Sequence, residues 1–231
     1  MRLIHPEVRE EVAIEEAYGS MLGARRDRPW VAMCMIASLD GSTVVDGRSG
    51  PLGNETDAAV LRQLRAAADV IVVGARTAAH ENYGPPRKAG QRIGVVTASG
   101  RVDLARPLFT SGAGFVVTAD ATPIGTAGTD LPDIVRAGTD GVDLGRAFSA
   151  VDELCGRPDA LLVEGGPTLN GALLDAGLVD ELDLTTSSHA VGGDGPRLAT
   201  GADDTEQRFE LAQLAIDTDS FLFARWRRRT T

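Results

Sequence analysis

Four short runs in this chain are almost wholly apolar, and each empties into glycine or small polar residues: WVAMCMIA into SLDG, DVIVVG into ARTA, RIGVVT into ASG, and ALLV into EGGPT. Such a run has no polar side to turn towards water, so it reads as a strand buried on both faces. Segments of helical period lie between the runs. After Asn54, which can cap, Val60, Leu61, Leu64, Ala67 and Ala68 recur at helical spacing, with Asp57 at the third helical position and Arg62 and Arg65 off the apolar face. Strands alternating with helices call for a mostly parallel α/β sheet. The segments FELAQLAID and SFLFARW alternate in character and are expected to close that sheet as a terminal antiparallel pair, after a strand at DELDLTTSS.

The remaining elements follow the same logic. GFVVTA reads as a strand and LGRAFSAVDELCG as a helix, while the proline- and glycine-rich stretch from Thr122 to Gly141 reads as surface loops. A peripheral helix is expected from Glu7 to Leu22. With 231 residues and no clear linker, one large domain over residues 30–231 is expected, preceded by a helical extension over 1–29. The cluster RWRRR, Arg225 to Arg229, reads as a solvated basic tail.

Charge and composition remove several function classes. A net charge of −10 argues against a nucleic-acid surface, which needs clustered Lys and Arg. Cys34 and Cys155 sit in apolar contexts without metal-ligand or disulfide spacing, which points to a reducing cytoplasm and to no metal. No apolar run approaches the roughly 20 residues of a membrane span, and the acidic N-terminus does not resemble a targeting peptide. There are 27 glycines but only 4% aromatics, so tight turns and an aliphatic core are expected.

In a parallel sheet, ligands collect at the carboxyl ends of the strands, where the small residues of all four runs converge. ALLVEGGPTLNG carries the most information. Pro167 suits the first position of a helix, and the amides behind it, with the helix dipole, suit a phosphate that Gly165 and Gly166 would let approach. The same pair can simply turn strand into helix, and the stretch is neither G-x-G-x-x-G nor a P-loop. Glu164 tips the balance, because a carboxylate ending an apolar strand is costly unless it faces a polar site. Asp40, in SLDG, reads equally as a loop tie or a ligand contact.

ASLDG, RSGPLGN, LRAAADVIVVGARTA and LLVEGGPTLNGALLDAGLVDEL together resemble the reductase domain of the bifunctional riboflavin-biosynthesis deaminase/reductase, from about Trp30 to Trp226. The resemblance implies a dihydrofolate-reductase-like three-layer sandwich and a homodimer. It implies hydride transfer from NADPH to the ribosylamino group of a phosphorylated pyrimidine, 5-amino-6-(5-phosphoribosylamino)uracil. It places Ala37, Pro51, Thr77, Glu81, Ser99, Gly165, Gly166, Pro167, Thr168, Leu169, Asn170, Gly171 and Ala172 at the cofactor, with Arg101 a partner for its 2′-phosphate. Ser49, Arg65, Arg87 and Glu164 fall at the substrate, Arg65 on its phosphate and Glu164 on the heterocycle, and Glu81 is placed to relay a proton.

Two departures stand out. Cys34 replaces a lysine usual in the family, and HENYGPPRK puts Glu81 where an aspartate is common, with Arg87 or Lys88 near an expected arginine. Dihydrofolate reduction and non-catalytic dinucleotide sensing are the competing functions. No zinc-deaminase signature is found, and His5, His80 and His189 lie far apart, so a stand-alone reductase is expected.

Overall fold

A computed structural model describes residues 1–125, 131–203 and 206–229. Its strands are β1 (Arg2–His5), β2 (Trp30–Ala37), β3 (Val70–Gly74), β4 (Arg92–Val96), β5 (Gly114–Thr118), β6 (Ile134–Arg136), β7 (Ala160–Val163), β8 (Glu181–Thr186), β9 (Phe209–Ile216) and β10 (Leu222–Arg228). Its helices are α1 (Ile14–Tyr18), α2 (Glu55–Ala67), α3 (Ala75–His80), α4 (Pro107–Thr110), α5 (Leu144–Leu154) and α6 (Pro167–Asp175).

The strands form one sheet in the order β1-β9-β10-β8-β2-β7-β3-β4-β5-β6. From β8 to β6 neighbours run parallel, and β10, β9 and β1 add the expected antiparallel end. Alternate residues of each central strand feed opposite layers. Val31, Met33, Val70, Val72, Leu161 and Val163 pack with Ala147, Phe148, Val151 and Leu173 of α5 and α6. Ala32 and Leu162 pack against Val60 and Leu64 of α2, and Ile71, Val73, Ile93 and Val95 against Ala78, Leu108 and Phe109 of α3 and α4. The result is the expected three-layer sandwich. Leu64, fully buried, is worth about 1.5–3 kcal/mol of removed apolar surface.

Three expectations are corrected. The helix over Glu7–Leu22 shrinks to α1, and Arg2–His5 becomes a strand paired with β9. Val12, Ala17 and Tyr18 are buried in the same cluster as α2, so the first 29 residues supply part of the core. Within Thr122–Gly141, Ile134–Arg136 pairs with β5 instead of looping, because Val135 finds the apolar layer beneath α5; residues 126–130 of that stretch lie outside the described residues.

The third correction concerns RWRRR, most of which is strand β10. Arg225 is buried, with Nε 2.9 Å from Asp183 Oδ1 and Nη2 2.5 Å from Glu181 Oε1. It also donates to the carbonyls of Ala17 (2.6 Å) and Ser20 (2.8 Å) and lies over the Tyr18 ring. The second Glu181 oxygen accepts from Leu22 N and Trp30 Nε1, both at 2.7 Å. A buried arginine is tolerated only when satisfied in this way, and here it pins the N-terminal segment to the sheet.

Candidate active site

At the carboxyl ends of β2, β3 and β7 a cleft of about 1100 Å³ opens beside α2 and α3. That is slightly above the roughly 300–1,000 Å³ of most small-molecule sites. Residues four apart on a helix share a stripe, and Asp57, Leu61 and Arg65 of α2 form the one that faces the cleft. Asn54 starts that helix as expected, accepting from Asp57 N at 3.0 Å.

Glu164 follows β7, its amide bonded to Val72 O at 3.0 Å. Its carboxylate takes a two-pronged ion pair from Arg65, with Nε to Oε1 at 2.7 Å and Nη2 to Oε2 at 2.6 Å. The Tyr83 hydroxyl donates to the same Oε2, and the Tyr83 ring lies 5.3 Å from the Arg65 guanidinium carbon. Burial pulls the Arg65 guanidinium down, but the bonds and charge of Glu164 outweigh it and the group ends above its ordinary range. Burial, and then the charge of Glu164, push the Tyr83 phenol well up, so it stays a donor. Arg65 is partly exposed, but two of its nitrogens are tied to the cleft's own acid.

Next to Glu164 the chain makes its strand-to-helix junction. Gly165 has φ +83°, a left-handed conformation suited to glycine, and the Gly165–Gly166 peptide is cis. Gly74 N donates to Gly165 O at 2.7 Å, and a Cβ on Gly166 would lie 2.6 Å from Thr77 Oγ1. The glycine pair therefore lets the β7–α6 and β3–α3 junctions press together. Helix α6 starts at Pro167 with no side-chain cap among the described residues, and Gly166, Pro167 and Thr168 line the cleft. Its leading amides and dipole are of the kind that suits an anion.

Across the cleft, Ser49 donates through N and Oγ to Glu81 Oε1, each at 3.0 Å. Lys88 is spent on the carbonyls of Ala66 (3.1 Å) and Ala68 (2.7 Å), whereas Arg87 lines the cleft and is exposed. Asp40 is a loop tie: it accepts from Ser38 Oγ at 2.6 Å, Val191 N at 3.0 Å and Gly192 N at 2.6 Å. Those bonds, that of Ser38 foremost, hold its carboxyl below the usual range.

The cleft thus gathers Ser49, Arg65, Thr77, Glu81, Arg87, Glu164, Gly165, Gly166, Pro167 and Thr168. It does not take in Ala37, Pro51, Ser99, Leu169, Asn170, Gly171 or Ala172. Leu169 and Asn170 turn inward, the latter donating to Leu198 O at 2.8 Å, and Gly171 lies where a Cβ would be 2.5 Å from Thr200 O. Pro51, Ser99 and Arg101 are exposed.

Sequence reasoning missed Tyr83 and the cleft-facing role of Asp57. The 57, 61, 65 spacing was a usable signal for Asp57; for Tyr83, inside a loop, there was none. Burial raises the Asp57 carboxyl, against an opposing hydrogen bond with Thr185, and burial likewise raises the Cys34 thiol. Among the described residues no group of three or more His, Cys, Asp or Glu could hold a metal ion, and no helix is long and apolar enough to cross a membrane.

Comparison with known proteins places this geometry. Residues 29–222 match the model of the RibD C-terminal domain. Over 203 residues the chain is 27% identical to the 2,5-diamino-6-ribosylamino-4(3H)-pyrimidinone 5′-phosphate reductase of Methanothermobacter thermautotrophicus, covering 82% of this chain and 91% of that one. A pyrimidine reductase-like protein from Corynebacterium diphtheriae superposes with TM-score 0.75 at 27% identity, over 88% of this chain and 93% of that one. Acinetobacter baumannii RibD superposes with TM-score 0.72 over 88% of this chain and 59% of its own, and at 17% identity it speaks for the fold alone. With the matched segment running from before β2 into β10, the chain belongs to the RibD C-terminal domain family.

Proposed function

We propose that this chain is an NADPH-dependent reductase that converts the ribosylamino group of a phosphorylated aminopyrimidine into a ribitylamino group. One observation carries the proposal: the uncapped N-terminus of α6 opens on the same cleft as the Arg65–Glu164 pair and Arg87. A helix end suited to a dinucleotide phosphate and a polar wall suited to a phosphorylated substrate therefore share one space. The curated relative, named for a reductase of a ribosylaminopyrimidine phosphate, supports the same chemistry.

The chain's residues fit the cofactor. Gly165 and Gly166, the first amides of α6 and the Thr77 hydroxyl would hold its phosphates, and when bound it supplies a hydride to C1′ of the substrate. For that carbon to accept a hydride, the ribose ring opens: the C1′–O4′ bond breaks, O4′ takes a proton, and a C1′=N bond forms. Hydride at C1′ then sends the C=N electron pair to the positively charged nitrogen, which keeps its hydrogen and needs no further proton.

Glu164, fixed by Arg65 and Tyr83, is a preoriented negative charge for the cationic imine. Arg65 keeps donors beyond the two given to Glu164, and with Arg87 these address the phosphate. Glu81, anchored by Ser49, sits where a proton can be relayed. The family resemblance extends the proposal to a homodimer working in the cytoplasm, which analytical ultracentrifugation and cell fractionation test.

The direct experiment follows NADPH absorbance with purified protein and the 5-amino-6-ribosylaminopyrimidine 5′-phosphates. Oxidation coupled to ribitylamino product is expected; binding of NADPH with no turnover would favour the sensor alternative.

A further inference from the structure

We propose that residues 1–22 form a brace that holds α2 in place and thereby positions Arg65 in the cleft, with Ile14 and Tyr18 as its positioning residues. The proposal rests on the reductase reading above, in which Arg65 addresses the substrate phosphate. It gives a role to a segment that precedes the family match at residues 29–222.

The segment is held by the sheet rather than by its own helix. Its chain doubles back, with Leu3 N donating to Arg9 O and Val12 N to Met1 O, each at 2.9 Å, and β1 pairs with β9. Helix α1 has five residues, and isolated helices shorter than about 12–15 residues are marginal in water. Carbonyls at a helix end lack partners within the helix. Here Arg225 donates to those of Ala17 and Ser20, and Glu181 accepts from Leu22 N just beyond. Arg225 and Glu181 are 3% and 0% exposed, so water does not compete for these bonds.

What the clamped segment leans on is α2. Ile14, Ala17 and Tyr18 recur at helical spacing as one stripe, and they join Val60, Leu64 and Ala68 in one apolar cluster. At its exposed edge Gln63 Nε2 donates to Glu15 Oε1 at 3.3 Å. The two ends of α2 have other ties: Asn54 Nδ2 donates to Asp217 Oδ2 at 2.8 Å, and Gln91 Nε2 to the carbonyl of Arg65 at 2.7 Å. The middle of the helix rests between the sheet and α1. Leu64 is fully buried in that layer, and Arg65 is the next residue, so a shift of the helix at Leu64 carries the guanidinium with it.

Arg65 tolerates little such shift. Its two bonds to Glu164 need both nitrogens in register with both oxygens, and groups of a functional site must be held within about 0.5 Å by the residues that support them. Thr77 and the Gly165–Gly166 pair belong to α3 and the β7–α6 junction, whereas α1 packs in the cluster of α2. A loosened brace should therefore disturb the substrate and spare the cofactor.

The experiment trims the brace in the full chain with Ile14→Ala and, more severely, Tyr18→Leu. Val151→Ala, on α5 across the sheet, is the control that loosens the core elsewhere. Steady-state kinetics with NADPH and the 5-amino-6-ribosylaminopyrimidine 5′-phosphates are paired with hydrogen exchange of the α2 amides. In both brace variants the Michaelis constant for the pyrimidine should rise about three- to tenfold, that for NADPH should hold, and α2 should exchange faster. Val151→Ala should lower Tm and move none of the three. An unchanged pyrimidine constant overturns the proposal, as does a rise equalled in Val151→Ala or one without faster exchange in α2; if Tyr18→Leu fails to fold, Ile14→Ala decides. Should wild type reduce none of these substrates, the reductase reading falls and exchange alone judges the brace: faster in the brace variants only upholds it, and unchanged overturns it.

Discussion

Arg65 and Glu164 stand 99 residues apart in sequence, yet they meet through two parallel hydrogen bonds of 2.7 and 2.6 Å at the floor of the cleft. The pair joins α2 to the β7–α6 junction, so it fixes α2 relative to the start of α6. Its geometry depends on a planar fork, which lysine does not provide.

Arg65→Ala should therefore do two things at once. The Michaelis constant for the phosphorylated pyrimidine should rise at least tenfold, and stability should fall by about 1–3 kcal/mol because a buried carboxylate loses its charged partner. Arg65→Lys should recover part of the stability and little of the affinity. Steady-state kinetics with urea unfolding checks both, and an unchanged Michaelis constant would remove Arg65 from the substrate.

Tyr83→Phe keeps the ring over Arg65 and deletes only the bond to Glu164. A hydrogen bond to a charged group is worth about 1.5–3 kcal/mol, so a roughly tenfold loss in kcat with little change in NADPH affinity is expected. Equal losses in both would point to a general loosening of the loop.

Asp57→Asn should make the protein more stable at neutral pH. The folded carboxyl is raised by burial, so folding favours its protonated form. That contribution is present below the ordinary carboxylate range and is lost as pH rises through the raised value. The variant escapes the loss. Thermal unfolding across pH should show its advantage at neutrality and little difference in acid.

Arg225→Ala should cost about 3–5 kcal/mol, because it strands Glu181 and Asp183 in the core without their cation. Arg229, exposed at the chain end with a loose partner in Glu210 at 3.5 Å, should change stability by no more than about 0.5 kcal/mol when replaced by alanine. Chemical denaturation of the two variants separates a structural arginine from a solvated one.

Those two arginines mark where sequence reading stops. The runs at Val31, Ile71, Val95 and Leu162 were legible as strands because burial on both faces leaves no polar position to misread. Ser49, Arg65, Glu81 and Glu164 were legible through motif resemblance, and they do converge on one cleft. Arg225 was not, because its partners lie across a strand pairing, Arg225 opposite Asp183, that no local pattern encodes. Arg2–His5 was hidden for the same reason: a short edge strand exists only through its partner in β9. Asp57 was passed over because an acid in a first helical turn already has a local explanation in the helix dipole.

The most direct test of the account is the rate of NADPH oxidation by the purified chain with 2,5-diamino-6-ribosylamino-4(3H)-pyrimidinone 5′-phosphate, with the product identified by mass. The account predicts turnover to the ribitylamino product, with kcat/KM falling at least tenfold in Arg65→Ala. Absence of turnover with this substrate and its 2-oxo counterpart, in protein that binds NADPH, would contradict it.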